Sequence, residues 1–233
     1  MKKKSVILFS VSAALFVLFA VFTLITAVCD KAVVAYAENI EAELGFASVN
    51  QAIFTALGQN ELWYELTEFL GVIALGVVAV FALLGLYQLI TRKQLFAVDR
   101  EILLLAVFYA LVAFFYVFFE AVVINYRPIL VDGALEASYP SSHAMLACSV
   151  FLSAPFAARH LVESRALRFA VCGLGTLLAV FTAVGRLLAG VHWLTDIIGA
   201  LLLSATLVTL YVAALALLDE KAPRKHHHRH SHS

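Results

Sequence analysis

Long apolar runs separated by short polar segments dominate the pattern of the chain. A helix that crosses a bilayer needs about 20 consecutive, mostly apolar residues. Six runs reach or approach this length, and they cover residues 5–28, 67–91, 101–124, 143–158, 169–185 and 192–218. The fourth run is the weakest, because Ser149, Ser153 and Pro155 interrupt it. The pattern therefore predicts an all-α fold, a bundle of six transmembrane helices.

The last two runs are separated by a turn rather than by a polar loop. Between Phe169 and Leu218 only Arg186 and Asp196 carry a charge near neutral pH. About 50 residues are too many for one span, so the chain must turn back within this stretch. Gly185 and Gly190 bracket the place where we expect the turn, beside Arg186.

The basic residues predict an orientation for the bundle. Cytoplasmic loops are enriched in Lys and Arg. Such residues precede the first run, follow the sixth, and lie between the second and third and between the fourth and fifth runs, at positions 2–4, 221–229, 92–100 and 159–168. The segment between the first two runs is instead acidic. We therefore expect both termini in the cytoplasm and this acidic segment outside the cell membrane.

Three segments outside the spans have their own predictions. Residues 31–65 are expected to form one or two short helices on the outer surface, with Trp63 and Tyr64 at the level of the lipid headgroups. The first run resembles a secretory signal, but it is long and no clear A-x-A site follows, so an uncleaved span is favoured. Residues 1–220 are predicted to form one six-span domain, and residues 221–233 a disordered, basic and His-rich cytoplasmic tail.

Composition supports a membrane protein and excludes several other classes. The 233 residues are 63% hydrophobic and 14% charged, whereas soluble domains carry about 25% charged residues. The formal net charge is zero, which gives no case for a nucleic-acid partner. The three cysteines form no CxxC pair, so neither a disulfide framework nor a zinc site is predicted.

Two outer segments hold the residues that could carry chemistry. In the predicted topology, residues 125–145 and 185–196 both lie beyond spans on the outer side. If the sixth helix starts near His192, then Asp196 lies one turn further on the same face. The carboxylate could then orient the imidazole and leave its other nitrogen free as a nucleophile. A structural His–Asp pair at a helix start is the alternative.

A second histidine and two arginines make an anion site plausible. His143 follows Ser141 and Ser142 at a predicted helix start, where unpaired N–H groups and a partial positive charge suit an anion. Arg127 and Arg186 supply planar guanidinium groups that match phosphate oxygens. Each arginine alone would be read as an interfacial residue, but together with two histidines they indicate phosphoryl transfer.

These residues resemble the motifs of the type 2 phosphatidic acid phosphatase and haloperoxidase superfamily, which are KxxxxxxRP, PSGH and SRxxxxxHxxxD. The matching residues here are Arg127-Pro128, then Pro140-Ser141-Ser142-His143, then Arg186, His192 and Asp196 at the family spacing. Three positions differ, since Glu120 replaces Lys, Ser142 replaces Gly and Gly185 replaces Ser. Glu120 could instead pair with Arg127 if the third helix continued that far.

The resemblance implies a metal-independent mechanism without a cofactor. His192 would be the nucleophile that forms a phosphohistidine, Asp196 would orient it, and His143 would act as general acid and base. Arg127, Arg186, Ser141 and Ser142 would bind the phosphate. No role is transferred to Glu120.

The predicted substrate is a lipid phosphate in the outer leaflet of a bacterial plasma membrane, and membrane lipids are the other expected partners. The family suggests undecaprenyl diphosphate, phosphatidylglycerophosphate or phosphatidate, with undecaprenyl diphosphate slightly ahead because that lipid must be recycled on the outer face. A lipid phosphotransferase and a non-catalytic lipid-binding protein are the alternatives. The sequence does not predict an oligomeric state.

Overall fold

The structure is a computed structural model that describes residues 3–160 and 164–221. Seven α-helices account for most of this part of the chain: α1 Lys4–Val28, α2 Ala47–Leu57, α3 Glu61–Arg92, α4 Arg100–Ala121, α5 Ser142–Ala157, α6 Arg165–Leu188 and α7 Leu194–Lys221. Within the described residues, α1, α3, α4, α6 and α7 are long and apolar enough to cross a membrane. Helix α5 is apolar but has only 16 residues. Apart from Lys221, the predicted tail 221–233 lies outside the described residues.

All six predicted apolar runs form helices, with boundaries that differ by a few residues. The largest difference is at α3, which begins at Glu61 rather than near residue 67. The Asn60 side chain caps this helix by accepting a hydrogen bond from the Trp63 N–H. Trp63 and Tyr64 therefore lie in the first turns of α3 and not in a separate surface helix.

The prediction of only helices between the first two spans is wrong for its first half. Residues Ala32–Ala37 and Ile40–Leu44 form two antiparallel strands, β1 and β2. In β2 the apolar residues face the protein while Glu41 and Glu43 are exposed, and this alternation has the period of a strand. Helix α2 then follows, so the segment contains one short helix and one hairpin.

Helices α5 and α7 form the buried centre of the bundle. Small residues line α5, including Ala144, Ala147 and Ser149, all with no exposed surface. They allow close approach of neighbouring helices, which is how helices associate in membranes. At the crossing of α5 with α6, a Cβ on Gly175 would lie 2.4 Å from the Phe151 carbonyl oxygen, so only glycine fits there.

The hairpin and α2 form a cap over the start of α7, held by a small apolar cluster and buried hydrogen bonds. Leu44 and Ala47 pack with Trp193, and the Phe54 ring lies 5.5 Å from the Trp193 ring. The Asn50 side chain donates to the Thr195 hydroxyl at 3.0 Å and accepts from the Thr195 N–H. This cap (residues 32–57) thus fixes the chain immediately around His192.

Candidate active site

The loop between α4 and α5 carries Arg127. Its two arms are loosely paired, because the Arg127 N–H donates to the Glu136 carbonyl at 3.0 Å. A tight turn at Asp132-Gly133, both with positive φ, closes the loop. The Trp193 indole N–H donates to the Tyr126 carbonyl at 2.6 Å. This bond ties the loop to the turn that precedes α7.

The start of α5 is joined to the start of α7 through backbone atoms. Ser141 caps α5, where its hydroxyl accepts from the Ala144 N–H, while its own N–H donates to the Asp196 carbonyl at 3.1 Å. Ser141 is completely buried, and a capping hydroxyl still has its hydrogen to donate. Ser142, the first residue of α5, is half-buried beside His143. The second and third motifs therefore meet in space.

His192 lies in the turn before α7 rather than on the helix, because α7 begins at Leu194. The predicted stacking of His192 and Asp196 on one helical face is therefore wrong. The two side chains still meet: Asp196 reaches back, accepts from the Trp193 N–H at 2.9 Å, and lies 3.5 Å from the His192 Nδ1. A first-turn carboxylate that binds the N–H at the helix start is a common cap.

The imidazole of His192 is buried among positive charges. Burial lowers its pKa well below the ordinary value of 6.5, and nearby Arg186, Arg127 and His143 lower it further. The Ser138 backbone lies near the ring, but within the described residues neither ring nitrogen makes a hydrogen bond of ordinary length and angle. His192 is therefore a neutral imidazole that can offer a lone pair.

Arg186 points one edge of its guanidinium group into the site. The side chain has no exposed surface. Its Nη1 donates to Glu68 Oε1 at 2.8 Å and contacts the Thr67 hydroxyl at 3.4 Å. Nε and Nη2 are buried and have no hydrogen-bond partner within residues 3–160 and 164–221. Such a free edge matches two oxygens of a phosphate.

His143 lies opposite a carboxylate that sequence analysis missed. Its Nε2 is 3.1 Å from Glu68 Oε2, while its Nδ1 is buried and has no partner among the described residues. Glu68 lies in the second turn of α3, on a helix that contributes to none of the three motifs. The sequence did contain one signal for Glu68, which is an acidic residue inside an apolar run. Placing such a residue in a membrane span costs free energy unless it has a partner.

Arg127 and Glu120 are not paired. Helix α4 ends at Ala121, so the chain is no longer helical at Arg127, and the expected contact cannot form. Arg127 Nε instead lies 3.2 Å from Glu136 Oε2. Glu120 is exposed and lines the same cavity as Arg127, Ser142 and His143.

The departure at Gly185 has a steric reason. A Cβ at this position would lie 2.5 Å from the Thr67 methyl group and 3.1 Å from the Trp63 ring. Both residues belong to α3, so Gly185 lets α6 approach α3 closely. This approach brings Arg186, the next residue along α6, to Glu68.

A large cavity between α3, α4 and α5 reaches the Arg127 and His143 side of this cluster. Its volume is about 820 Å³, and Arg127, Ser142 and His143 line it together with mostly apolar residues. A second apolar cavity of about 450 Å³ runs further along the same two helices and shares Val78 and Tyr109 with the first. The two cavities together form a cleft that leads from the charged cluster along α3 and α4.

The described structure thus brings Arg127, His143, Arg186, His192 and Asp196 together, as the sequence predicts. These residues come from the loop before α5, from the end of α6 and from the turn before α7. The arrangement offers a neutral imidazole beside a carboxylate, a second imidazole with one free nitrogen, and a free guanidinium edge. This combination suits the transfer of an anionic group.

Comparison with known proteins agrees with the motif analysis. The family model for the PAP2 superfamily matches residues 121–218, and the resemblance inferred from the motifs is confirmed. Among solved structures, the chain is similar to the first transmembrane PAP2 type phosphatidylglycerolphosphate phosphatase from Bacillus subtilis, with 20% identity and a TM-score of 0.61 over 92% of this chain and 98% of that one. At this identity the likeness shows a shared fold. None of the curated proteins compared matches the chain.

Proposed function

Because residues 121–218 belong to the PAP2 superfamily, we propose that this multi-pass membrane protein hydrolyses a lipid phosphate without a metal ion, through a phosphohistidine at His192. The observation that carries the proposal is the free edge of the buried Arg186 guanidinium beside a neutral His192. A phosphoryl group bound by that edge and by Arg127 would have its charge neutralised by arginines, a task that Mg²⁺ performs in many phosphotransferases.

The reaction proceeds in two displacements. In the first, the His192 Nε2 lone pair attacks phosphorus, the bond from phosphorus to the lipid oxygen breaks, and His143 gives that oxygen a proton. In the second, His143 takes a proton from water, the resulting hydroxide attacks the phosphohistidine, and the P–N bond breaks to release inorganic phosphate. Asp196, 3.5 Å from Nδ1 of His192, orients the ring and stabilises the positive charge that develops on it.

The apolar cleft supports a lipid substrate. It runs along α3 from Leu75 to Leu89, which is roughly 20 Å at 1.5 Å per helical residue. This length accommodates a long acyl or prenyl chain, and the charged cluster at one end of the cleft receives the phosphate. A soluble phosphate ester has no long apolar chain, so the apolar walls of the cleft would not contribute to its binding.

The orientation of the site belongs to the same proposal. The charged cluster lies at the ends of α6 and α4 and at the starts of α3, α5 and α7. With basic loops in the cytoplasm, this end faces the outer leaflet, both termini are cytoplasmic, and the cap (residues 32–57) covers the site from outside. The helix α5, short as it is, then serves as the fourth of six spans because its polar start lies inside the site.

Undecaprenyl diphosphate, phosphatidylglycerophosphate and phosphatidate remain the candidate substrates. Glu120 and Glu136 line the cavity beside Arg127, and carboxylates there disfavour a second phosphate group. This favours phosphatidate, which carries a single phosphate, over undecaprenyl diphosphate and over phosphatidylglycerophosphate, whose phosphodiester is a second phosphate. The structural neighbour is described as a phosphatidylglycerolphosphate phosphatase, which is a reason to keep that lipid among the substrates to be tested.

Phosphate release by the purified full-length protein tests the proposal. The panel consists of the three lipids above in detergent micelles, each with and without EDTA. We expect release from at least one lipid that EDTA leaves unchanged, and none from His192→Ala. Release that strictly requires Mg²⁺, or an absence of release from every lipid, would contradict the proposed function.

A further inference from the structure

Glu68 is a carboxylate that touches two residues of the proposed reaction centre. Its Oε1 accepts from Arg186 Nη1 at 2.8 Å, and its Oε2 lies 3.1 Å from His143 Nε2. Both partners are largely buried, whereas the Glu68 side chain is 38% exposed. One carboxylate on α3 thus links a residue of α5 to a residue of α6.

The tautomer of His143 follows from this contact. A carboxylate without a proton only accepts hydrogen bonds, and Glu68 already accepts one from Arg186 Nη1 at 2.8 Å. The His143 nitrogen that faces it must therefore carry the hydrogen. That nitrogen is Nε2, so Nδ1 is left as the nitrogen that gains and loses a proton.

The backbone of α3 supports the same placement. Gly71 lies one turn after Glu68, and a Cβ there would be 3.1 Å from the His143 Cδ2. The missing side chain makes room for the imidazole to lie against the helix. Helix α3 therefore borders the Nε2–Cδ2 edge of His143 with both the Glu68 carboxylate and Gly71.

Resting on the proposed function, we propose that Glu68 is a positioning residue that keeps Nε2 of His143 protonated, so that proton transfer to the leaving oxygen and from water passes through Nδ1. The same carboxylate occupies Nη1 of Arg186 and turns the Nε and Nη2 edge towards the phosphate. The two histidines of the site then use opposite nitrogens: His192 reacts through Nε2 because Asp196 faces its Nδ1, and His143 through Nδ1.

The kinetic consequence differs from that of simple structural damage. In Glu68→Gln the imidazolium form of His143 loses its adjacent negative charge, so kcat falls by about tenfold or more. The amide oxygen of the new glutamine can still accept from Arg186 Nη1, so the guanidinium edge stays in place and KM for the lipid phosphate does not rise. A merely structural role would raise KM, lower the melting temperature, or both.

The pH profile gives a second readout. The first displacement needs protonated His143, so kcat declines on the alkaline side as His143 loses its proton. Loss of the carboxylate moves this alkaline limb to lower pH by about one unit or more. The charged and titratable groups that face or surround His143 remain the same in the variant apart from Glu68: Arg186, Arg127, Glu120, Glu136 and His192.

The experiment compares Glu68→Gln with Glu65→Gln, an exposed glutamate one turn earlier on α3, and with the conservative Glu68→Asp. Kinetics are measured on the full-length protein with the best lipid of the panel, and folding is checked by the melting temperature. We expect Glu65→Gln to match the wild type and Glu68→Asp to recover part of kcat. Wild-type kcat and an unmoved alkaline limb in Glu68→Gln would overturn the inference while leaving the proposed function intact.

Two further outcomes are distinguishable. If the wild type releases no phosphate from any lipid, the proposed function fails and this inference fails with it. If Glu68→Gln does not fold, long-range ¹H–¹⁵N spectra of the wild type decide instead, with His143→Gln used to assign its signals. We expect the neutral His143 ring to carry its hydrogen on Nε2, and a hydrogen on Nδ1 would overturn the inference.

Discussion

At the scale of single residues, the site is defined by how each ionisable group is matched with a partner. Asp196 lies beside His192, and Glu68 contacts both His143 and Arg186. Spacing along the chain was enough to find the His–Asp pair, because four residues at a helix start bring both side chains together even though His192 precedes the helix. Glu68 could not be found that way, because its role depends on how α3 packs against α5 and α6.

The buried neutral state of His192 predicts a pH dependence of stability. Its pKa in the folded protein is well below 6.5 because of burial and nearby arginines. As pH falls below 6.5, the unfolded chain takes up a proton at this residue and the folded protein does not, so folding stability decreases. The loss is at most about 1.4 kcal/mol per pH unit from this group.

Melting temperatures in detergent between pH 7.5 and 5 measure this effect. We expect the melting temperature of the wild type to fall towards pH 5. The fall should be shallower in His192→Gln, because that variant has no group to protonate at position 192. Identical slopes for the two proteins would show that His192 is not held neutral by the fold.

At the scale of helices and strands, apolar length determined most of the architecture. The six runs predicted from hydropathy all became helices, because a long apolar segment has few other ways to satisfy its backbone hydrogen bonds in lipid. The hairpin Ala32–Leu44 was missed although Ile40-Glu41-Ala42-Glu43-Leu44 alternates in the manner of a strand. Five residues carry a weak signal, and the strand that pairs with them has only six.

Gly185 allows the close spacing of α3 and α6. We therefore predict that replacing it with serine, the residue of the family motif, lowers both stability and activity. In Gly185→Ser the new Cβ would lie 2.5 Å from the Thr67 methyl group, so the helices must separate beside Arg186. We expect a loss of about 1–3 kcal/mol in stability, as for other overpacked sites, together with lower phosphate release.

Gly173→Ser is the matched control, because it adds the same side chain to α6 where no atom lies within 4 Å of the new Cβ. Its melting temperature and activity should remain close to those of the wild type. If Gly185→Ser behaved like this control, close packing at Gly185 would not matter to the site.

At the scale of the whole molecule, the charged cluster and the apolar cleft have to act as one binding site. The motifs predicted the cluster, but no pattern in the sequence indicated that α3 and α4 stand apart and leave a cleft between them. The cleft depends on how α3 and α4 each pack against α5, which is a property of the assembled bundle.

The cleft predicts a dependence on lipid chain length. Val78 lines both cavities, so Val78→Trp should obstruct the cleft beyond its first half. We expect a selective loss of activity on long-chain substrates, with a short-chain phosphatidate much less affected. Val80→Trp is the control, because Val80 is on the same helix and 64% exposed. Equal losses on long and short chains would indicate that the chain does not lie in the cleft.

The covalent intermediate is the central claim, and trapping it tests the claim most directly. Full-length protein is mixed with a lipid phosphate labelled with ³²P, quenched in alkali within milliseconds to protect a phosphohistidine, and digested for mapping. We predict label on the peptide that contains His192 and none in His192→Ala. Label on another residue, or label retained by His192→Ala, would contradict the account.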